Sequence, residues 1–169
     1  MDPILFLDID GVLNPATMPN YEVDLSLNEK LAKTYNEERI RSMNIYFLNQ
    51  ICFGFKKESC ELIKKLVEEF HAKIVLTSSW RLFYSHEEIQ CMFKILELEE
   101  AFLDFTSPGS PRNQVITEYI YNHHVKQYIV IDDFDMKQSF GYRFIQTAQY
   151  FNENNYFQAR YALRLQYKE

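Results

Sequence analysis

A chain of 169 residues is long enough for one domain with a core of its own and too short for a second full domain. Hydrophobic residues at 47% and charged residues at 25% exclude a disordered chain, and a net charge of -6 argues against a general nucleic-acid binder, leaving at most a local basic patch. Cys52, Cys60 and Cys91 are an odd number with no CxxC pair, which excludes a disulfide framework and a zinc ribbon and points to a reducing cytoplasm.

The first element lies in "ILFLDIDGVLN", residues 4–14. Ile4 to Asp8 reads as a buried strand, short and apolar on both faces, ended by Gly11. Asp8 breaks the apolar run too early for a secretory leader, and no basic region precedes it, so an unprocessed soluble protein is expected. Asp8 and Asp10 stand two apart and in extended geometry point the same way. Like charges that close cost energy unless a cation lies between them; alone, the pair reads as a solvated acidic turn.

A polar stretch with Pro15, Pro19 and Asn20 leads into "LSLNEKLAKTYNEERIRSMNIYFLNQICF", whose helical patterning comes in two pieces. Residues at about 15–55 thus read as a small helical insertion after the first strand. The apolar stretch "IYFLNQICFGF" is too short, and too polar at Asn49 and Gln50, to span a bilayer. In "ESCELIKKLVEEF", Leu62, Ile63, Leu66, Val67 and Phe70 form one helical stripe, and "KIVLT" follows as the second buried strand. "SHEEIQCMFKIL" is a helix with a capping start at Ser85, and "AFLDFTS" a weaker strand. "SPRNQVITEYIYNHH" reads as a helix capped by Ser110 with Pro111 at its first position. "YIVI" is a buried strand stopped by Asp132 and Asp133, "FIQTA" a last strand, and "NYFQARYALRLQY" a closing helix. Uniformly apolar strands alternating with helices predict an α/β fold, a central parallel sheet with helices on both faces.

In such sheets ligands bind outside the carboxyl ends of the strands. Asp8, Thr77 and the pair Asp132 and Asp133 each stand at such an end and should converge on one crevice. Acidic groups brought together imply a cation, and an all-oxygen donor set suits Mg²⁺. A hydroxyl beside that cation describes a phosphate site, where an Asp can act as nucleophile and a second Asp as acid and base.

"DIDGVLN", "IVLTSSW", an arginine opening a helix, and "YIVIDDFD" resemble, in order, the four motifs of the haloacid dehalogenase (HAD) superfamily. The run with "SSWR" and "DDFDM" is similar to the small bacterial HAD domains grouped with Swiss Army knife RNA-repair proteins. The resemblance implies a single three-layer Rossmann-like HAD domain over residues 1–169, in which Asp8 attacks phosphorus and Asp10 protonates the leaving group and then activates water. It further implies that the carbonyl of Asp10 binds Mg²⁺ along with the acids, and that Thr77 holds a phosphoryl oxygen. An acid two residues after the nucleophile favours phosphatase over dehalogenase chemistry. The third motif is usually a lysine; Arg112 takes the role here, in a first helical turn whose dipole favours an anion. Lys126 begins the strand that ends at Asp132, roughly 20 Å away at about 3.3 Å per residue. The fourth motif offers Asp132, Asp133 and Asp135, with Asp133 the expected direct ligand and Asp132 holding a metal-bound water or Arg112.

Other residues carry two readings each. Ser78 can cap the next helix toward the phosphate, and Arg81 can reach substrate; alternatively Trp80 packs that helix and Arg81 pairs with a surface acid. Asn14 can orient the loop after the first motif or serve as a turn residue. His123 and His124 diverge around the far end of a helix and do not suggest a metal. The 12 Tyr and 14 Phe invite base stacking, but helical stripes explain most of them. Arg39 and Arg41, beside Glu37 and Glu38, form a solvated face. The expectation is therefore a cytoplasmic, Mg²⁺-dependent phosphomonoester hydrolase acting on a phosphorylated substrate of unknown size. The alternatives are a polynucleotide or RNA end phosphatase, opposed by the net charge, a phospho-receiver module, and a non-catalytic metal-binding interaction module. A receiver carries its phosphoacceptor after the third strand, whereas here the DxD comes first.

Overall fold

The computed structural model describes residues 2–167. Five short strands, β1 (Ile4–Leu7), β2 (Lys73–Leu76), β3 (Phe102–Phe105), β4 (Tyr128–Asp132) and β5 (Phe144–Gln146), form one parallel sheet in the order β3-β2-β1-β4-β5. β1 is apolar on both faces because it lies at the centre of three layers. Leu5 and Leu7 face one core and Ile4 and Phe6 the other, following the two-residue period of a strand.

The larger core packs the sheet against α1 (Leu27–Tyr35), α2 (Ile45–Asn49), α3 (Lys57–Phe70), α5 (His86–Ile95) and α8 (Glu153–Gln166), with α4 (Trp80–Phe83) at its upper edge. The smaller core lies under α6 (Arg112–Asn122) and α7 (Lys137–Phe140) through Ile116, Tyr119, Met136 and Phe140. α3 presents the apolar stripe its sequence encodes, with Ile63, Leu66, Val67 and Phe70 buried. α5 begins in a capping box, the Ser85 hydroxyl accepting from the Glu88 N–H and the Glu88 carboxylate from the Ser85 N–H. The segment after β1 folds as α1, a 3₁₀ turn at Glu38–Ser42 and α2, and its Leu27, Leu31, Ile40, Phe47, Leu48 and Ile51 join the main core. No helix among the described residues is long and apolar enough to cross a membrane.

Two local expectations change. α6 begins at Arg112, with Pro111 at its cap position, and no side chain caps it. Pro111 is extended (φ -76°, ψ 154°), so Ser110 lies one residue outside the position from which a hydroxyl reaches the first turn. β1 ends at Leu7, not Asp8, because the chain coils at once: the N–H groups of Val12, Leu13 and Asn14 all donate to the Ile9 carbonyl. Asp8 is therefore buried and Asp10 exposed, so the two carboxylates do not share one extended face.

Candidate active site

The register builds the site. Leu7 pairs with Leu76 on one side and Ile131 on the other, and Leu76 with Phe105, so four strands end at one level. The next residue on each, Thr106, Thr77, Asp8 and Asp132, continues the row, and alternation puts it on the face covered by α6. All four are buried.

Arg112, in the first turn of α6, closes this row from above. One nitrogen, Nη1, donates to Asp8 Oδ2 at 2.9 Å and to Asp132 Oδ2 at 2.6 Å. The other oxygen of Asp132 accepts from the Phe134 N–H at 2.9 Å. Burial pushes the Asp8 carboxyl above its ordinary value, against the opposing pull of Arg112, the Ile9 N–H and the Ser78 hydroxyl. Burial, and then the charge of Asp8, push Asp132 up to about 7. Burial works against the charge of Arg112, but Asp8 and Asp132 outweigh it and raise its pKa. One guanidinium thus serves two buried carboxylates and leaves the cluster short of positive charge.

Asp133 brings a third carboxylate, so that one oxygen each from Asp8, Asp132 and Asp133 lie within 4.8 Å of one another. Room for it comes from Gly11, at φ +76°, where a Cβ would stand 2.6 Å from Asp133 Oδ2. Three hard oxygen donors, with too little positive charge among them, fit Mg²⁺. Asp135 is engaged elsewhere, accepting from the Lys137 N–H at 2.9 Å at the start of α7.

Thr77 Oγ1 is buried and has no hydrogen-bond partner, and the same holds for Thr106 Oγ1 in the neighbouring position of the row. A buried hydroxyl left unpaired carries a desolvation cost of about 1–3 kcal/mol, which a bound acceptor would remove. Sequence reading picked out Thr77 and passed over Thr106, whose only signal was its place two residues before a proline-rich turn, after the weakest strand. Ser78 Oγ accepts from the Trp80 N–H at 3.3 Å and its hydroxyl faces Asp8.

Asp10 is held apart from the acidic cluster. Its Oδ1 accepts from Asn14 Nδ2 at 2.7 Å and its Oδ2 from the indole Nε1 of Trp80 at 2.9 Å. Asn14 and Trp80 therefore hold this carboxylate, beyond turn formation and packing. Arg81 donates to the backbone carbonyls of Thr77, Ser78, Thr106 and Ser107, rather than pairing with a surface acid, and pins the ends of β2 and β3 together. His123 stacks on Tyr119 at the far end of α6, and Arg39 and Arg41 pair with Glu37 and Glu38.

A family model described as the HAD domain in Swiss Army Knife RNA repair proteins matches residues 4–155, most of the chain. No curated protein matches. Among solved structures, a haloacid dehalogenase-like family hydrolase from Streptococcus pneumoniae is similar at a TM-score of 0.39 and 15% identity, over 96% of this chain and 81% of that one, too distant to carry residue roles.

Proposed function

Since the chain belongs to the family of HAD domains in Swiss Army knife RNA repair proteins, a membership that supports hydrolase chemistry, we propose that it is a phosphomonoester hydrolase working through an aspartyl-phosphate, with Mg²⁺ as its cofactor. The observation that carries this reading is the unpartnered, buried hydroxyl of Thr77 next in the row to the Arg112-held carboxylate of Asp8. A tetrahedral anion placed there would meet a nucleophile, a donor and a cation from three different elements.

In this reading Asp8 attacks phosphorus with the oxygen that Arg112 does not hold, and the ester oxygen leaves with a proton from Asp10. Asp10, now a carboxylate, takes a proton from water, whose oxygen attacks the phosphorus and releases inorganic phosphate and free Asp8. Arg112 and the Thr77 hydroxyl oppose the charge on the phosphoryl oxygens throughout. Mg²⁺, held by Asp8, Asp133 and the backbone carbonyl of Asp10, would supply further charge neutralisation. Asp132 serves by holding Arg112.

The substrate is a phosphorylated molecule, and the matched family's description, which names RNA repair proteins, is what supports the alternative of a phosphorylated RNA end. The net charge of -6 opposes a broad polynucleotide grip, so recognition of a terminal phosphate alone fits better. Three free cysteines support a cytoplasmic setting for this activity. The test is turnover on sugar phosphates, nucleotides and 3′- or 5′-phosphorylated oligonucleotides, with Mg²⁺ and with chelator. Multiple turnover that needs Mg²⁺ is expected. A phosphoenzyme lasting minutes with no turnover on any ester would replace the hydrolase by a phospho-receiver.

A further inference from the structure

The side chain assigned to acid and base work is held by a polar chain that starts in the insertion. Asn14 turns its amide nitrogen toward Asp10 and donates to its Oδ1, at 2.7 Å. Asn14 Oδ1 then faces Gln50, which must answer with its own nitrogen, at 2.6 Å. Gln50 Oε1 is left to accept from the hydroxyl of Tyr21, at 2.7 Å. Every donor of the chain points toward Asp10. The indole of Trp80 holds the other oxygen at 2.9 Å.

Gln50 occupies a purpose-shaped seat. It opens a wide turn, Gln50–Gly54, closed by the Phe55 N–H donating to the Gln50 carbonyl five residues back, a geometry that recurs at functional sites. Its side chain folds over Gly54 so closely that a Cβ there would stand 2.3 Å from Gln50 Nε2 and 2.5 Å from its Cδ. Gly54 has no left-handed backbone to explain it; its lack of a side chain makes room for the amide.

We propose that Gln50, seated on Gly54, is a positioning residue that fixes Asn14 and through it the carboxylate of Asp10, so that the insertion completes the general acid and base. This rests on the hydrolase reading for its kinetic consequence but not for its geometry. Losing the relay should leave phosphate binding alone and weaken protonation of the leaving group.

The experiment uses Gln50→Met, which keeps the length and loses both amide bonds, and Gly54→Ala, which displaces the Gln50 amide. The second variant collides only with the far end of a flexible side chain, so it retains the fold even where the first does not. The chain has a single tryptophan, so its indole N–H gives one assignable NMR signal, with Asp10→Ala as the reference for a lost acceptor. Both variants should move that signal toward the Asp10→Ala position. With Mg²⁺, the ratio of kcat on p-nitrophenyl phosphate to kcat on an alkyl phosphate should rise about tenfold with KM unchanged, since a good leaving group needs little protonation. An indole signal that stays at the wild-type position in both variants, or equal losses on both esters, would overturn the proposal. Wild-type protein with no turnover would instead overturn the hydrolase reading, and the indole signal would still decide on the relay.

Discussion

Replacing Arg112 with alanine should show two separable losses. Asp8 and Asp132 have side chains 4% and 0% exposed, and a single nitrogen of Arg112 lies within hydrogen-bond reach of both. Removing one partner of a buried ion pair costs about 3–5 kcal/mol of stability. That cost should depend on pH. Both carboxyls are pushed upward by burial, Asp132 to about 7, so acid neutralises the charges that the lost guanidinium leaves behind. With chelator present, urea unfolding should therefore place the variant furthest below wild type at about pH 8 and nearer to it at about pH 5. The catalytic loss should be about 2–4 kcal/mol, like that of other electrostatic clamps on a transferring group. That corresponds to a fall in kcat/KM of roughly 30-fold to 1,000-fold on p-nitrophenyl phosphate at saturating Mg²⁺. Because both contacts come from Nη1, one ammonium can in principle make them, and Arg112→Lys should recover most of the activity. An alanine variant with wild-type kcat/KM would refute the assignment of Arg112 to the phosphate.

Asp8→Asn should abolish turnover, because an amide is a poor nucleophile at phosphorus; activity within about tenfold of wild type on p-nitrophenyl phosphate would remove Asp8 from that role. Thr77→Val exchanges a buried hydroxyl without a partner for a methyl group of equal size, so the melting temperature should hold or rise while kcat/KM falls about a hundredfold. A clear drop in stability would mean that the hydroxyl is already satisfied. Glu37 holds Arg39 through both carboxylate oxygens, and those hydrogen bonds, ahead of the charges of Arg39 and Lys94, lower its carboxyl from 4.5 to about 2. Its contribution is present above pH 4.5 and lost as pH falls through about 2, so the urea midpoint of Glu37→Gln should change less than that of wild type across that window.

The strands and long helices were legible because each is encoded locally: apolar runs bounded by turn residues, a 3.6-residue stripe in α3, a capping box at Ser85. The meeting of Asp8, Thr77 and Asp132 was legible too, since a parallel sheet delivers its strand ends to one edge. What the sequence could not carry was anything fixed by register or by a non-local partner. The spacing of Asp8 and Asp10 suggested one shared face; the carbonyl of Ile9, collecting three N–H groups, coils the chain and separates them. Trp80 read as packing, and it does pack, but its indole nitrogen reaches a carboxylate 70 residues away in the chain. Gln50 read only as a polar break in an apolar stretch.

The two adjacent acids after β4 show how a parallel sheet makes different tools from identical neighbours. Asp132 is still in register with the strand, and alternation sends it to the α6 face, where it meets Arg112 and a backbone N–H and keeps no oxygen free of a hydrogen bond. Asp133 lies one residue further, past the end of the strand, exposed and against the one residue of the first loop that has no side chain. The identity of the two side chains therefore says little about their work, and the pairing of Leu7 with Ile131 says most of it. The same pairing sets Asp8 beside Asp132, close enough to share a single nitrogen of Arg112, so the register of β1 against β4 sets how the two carboxylates stand to each other.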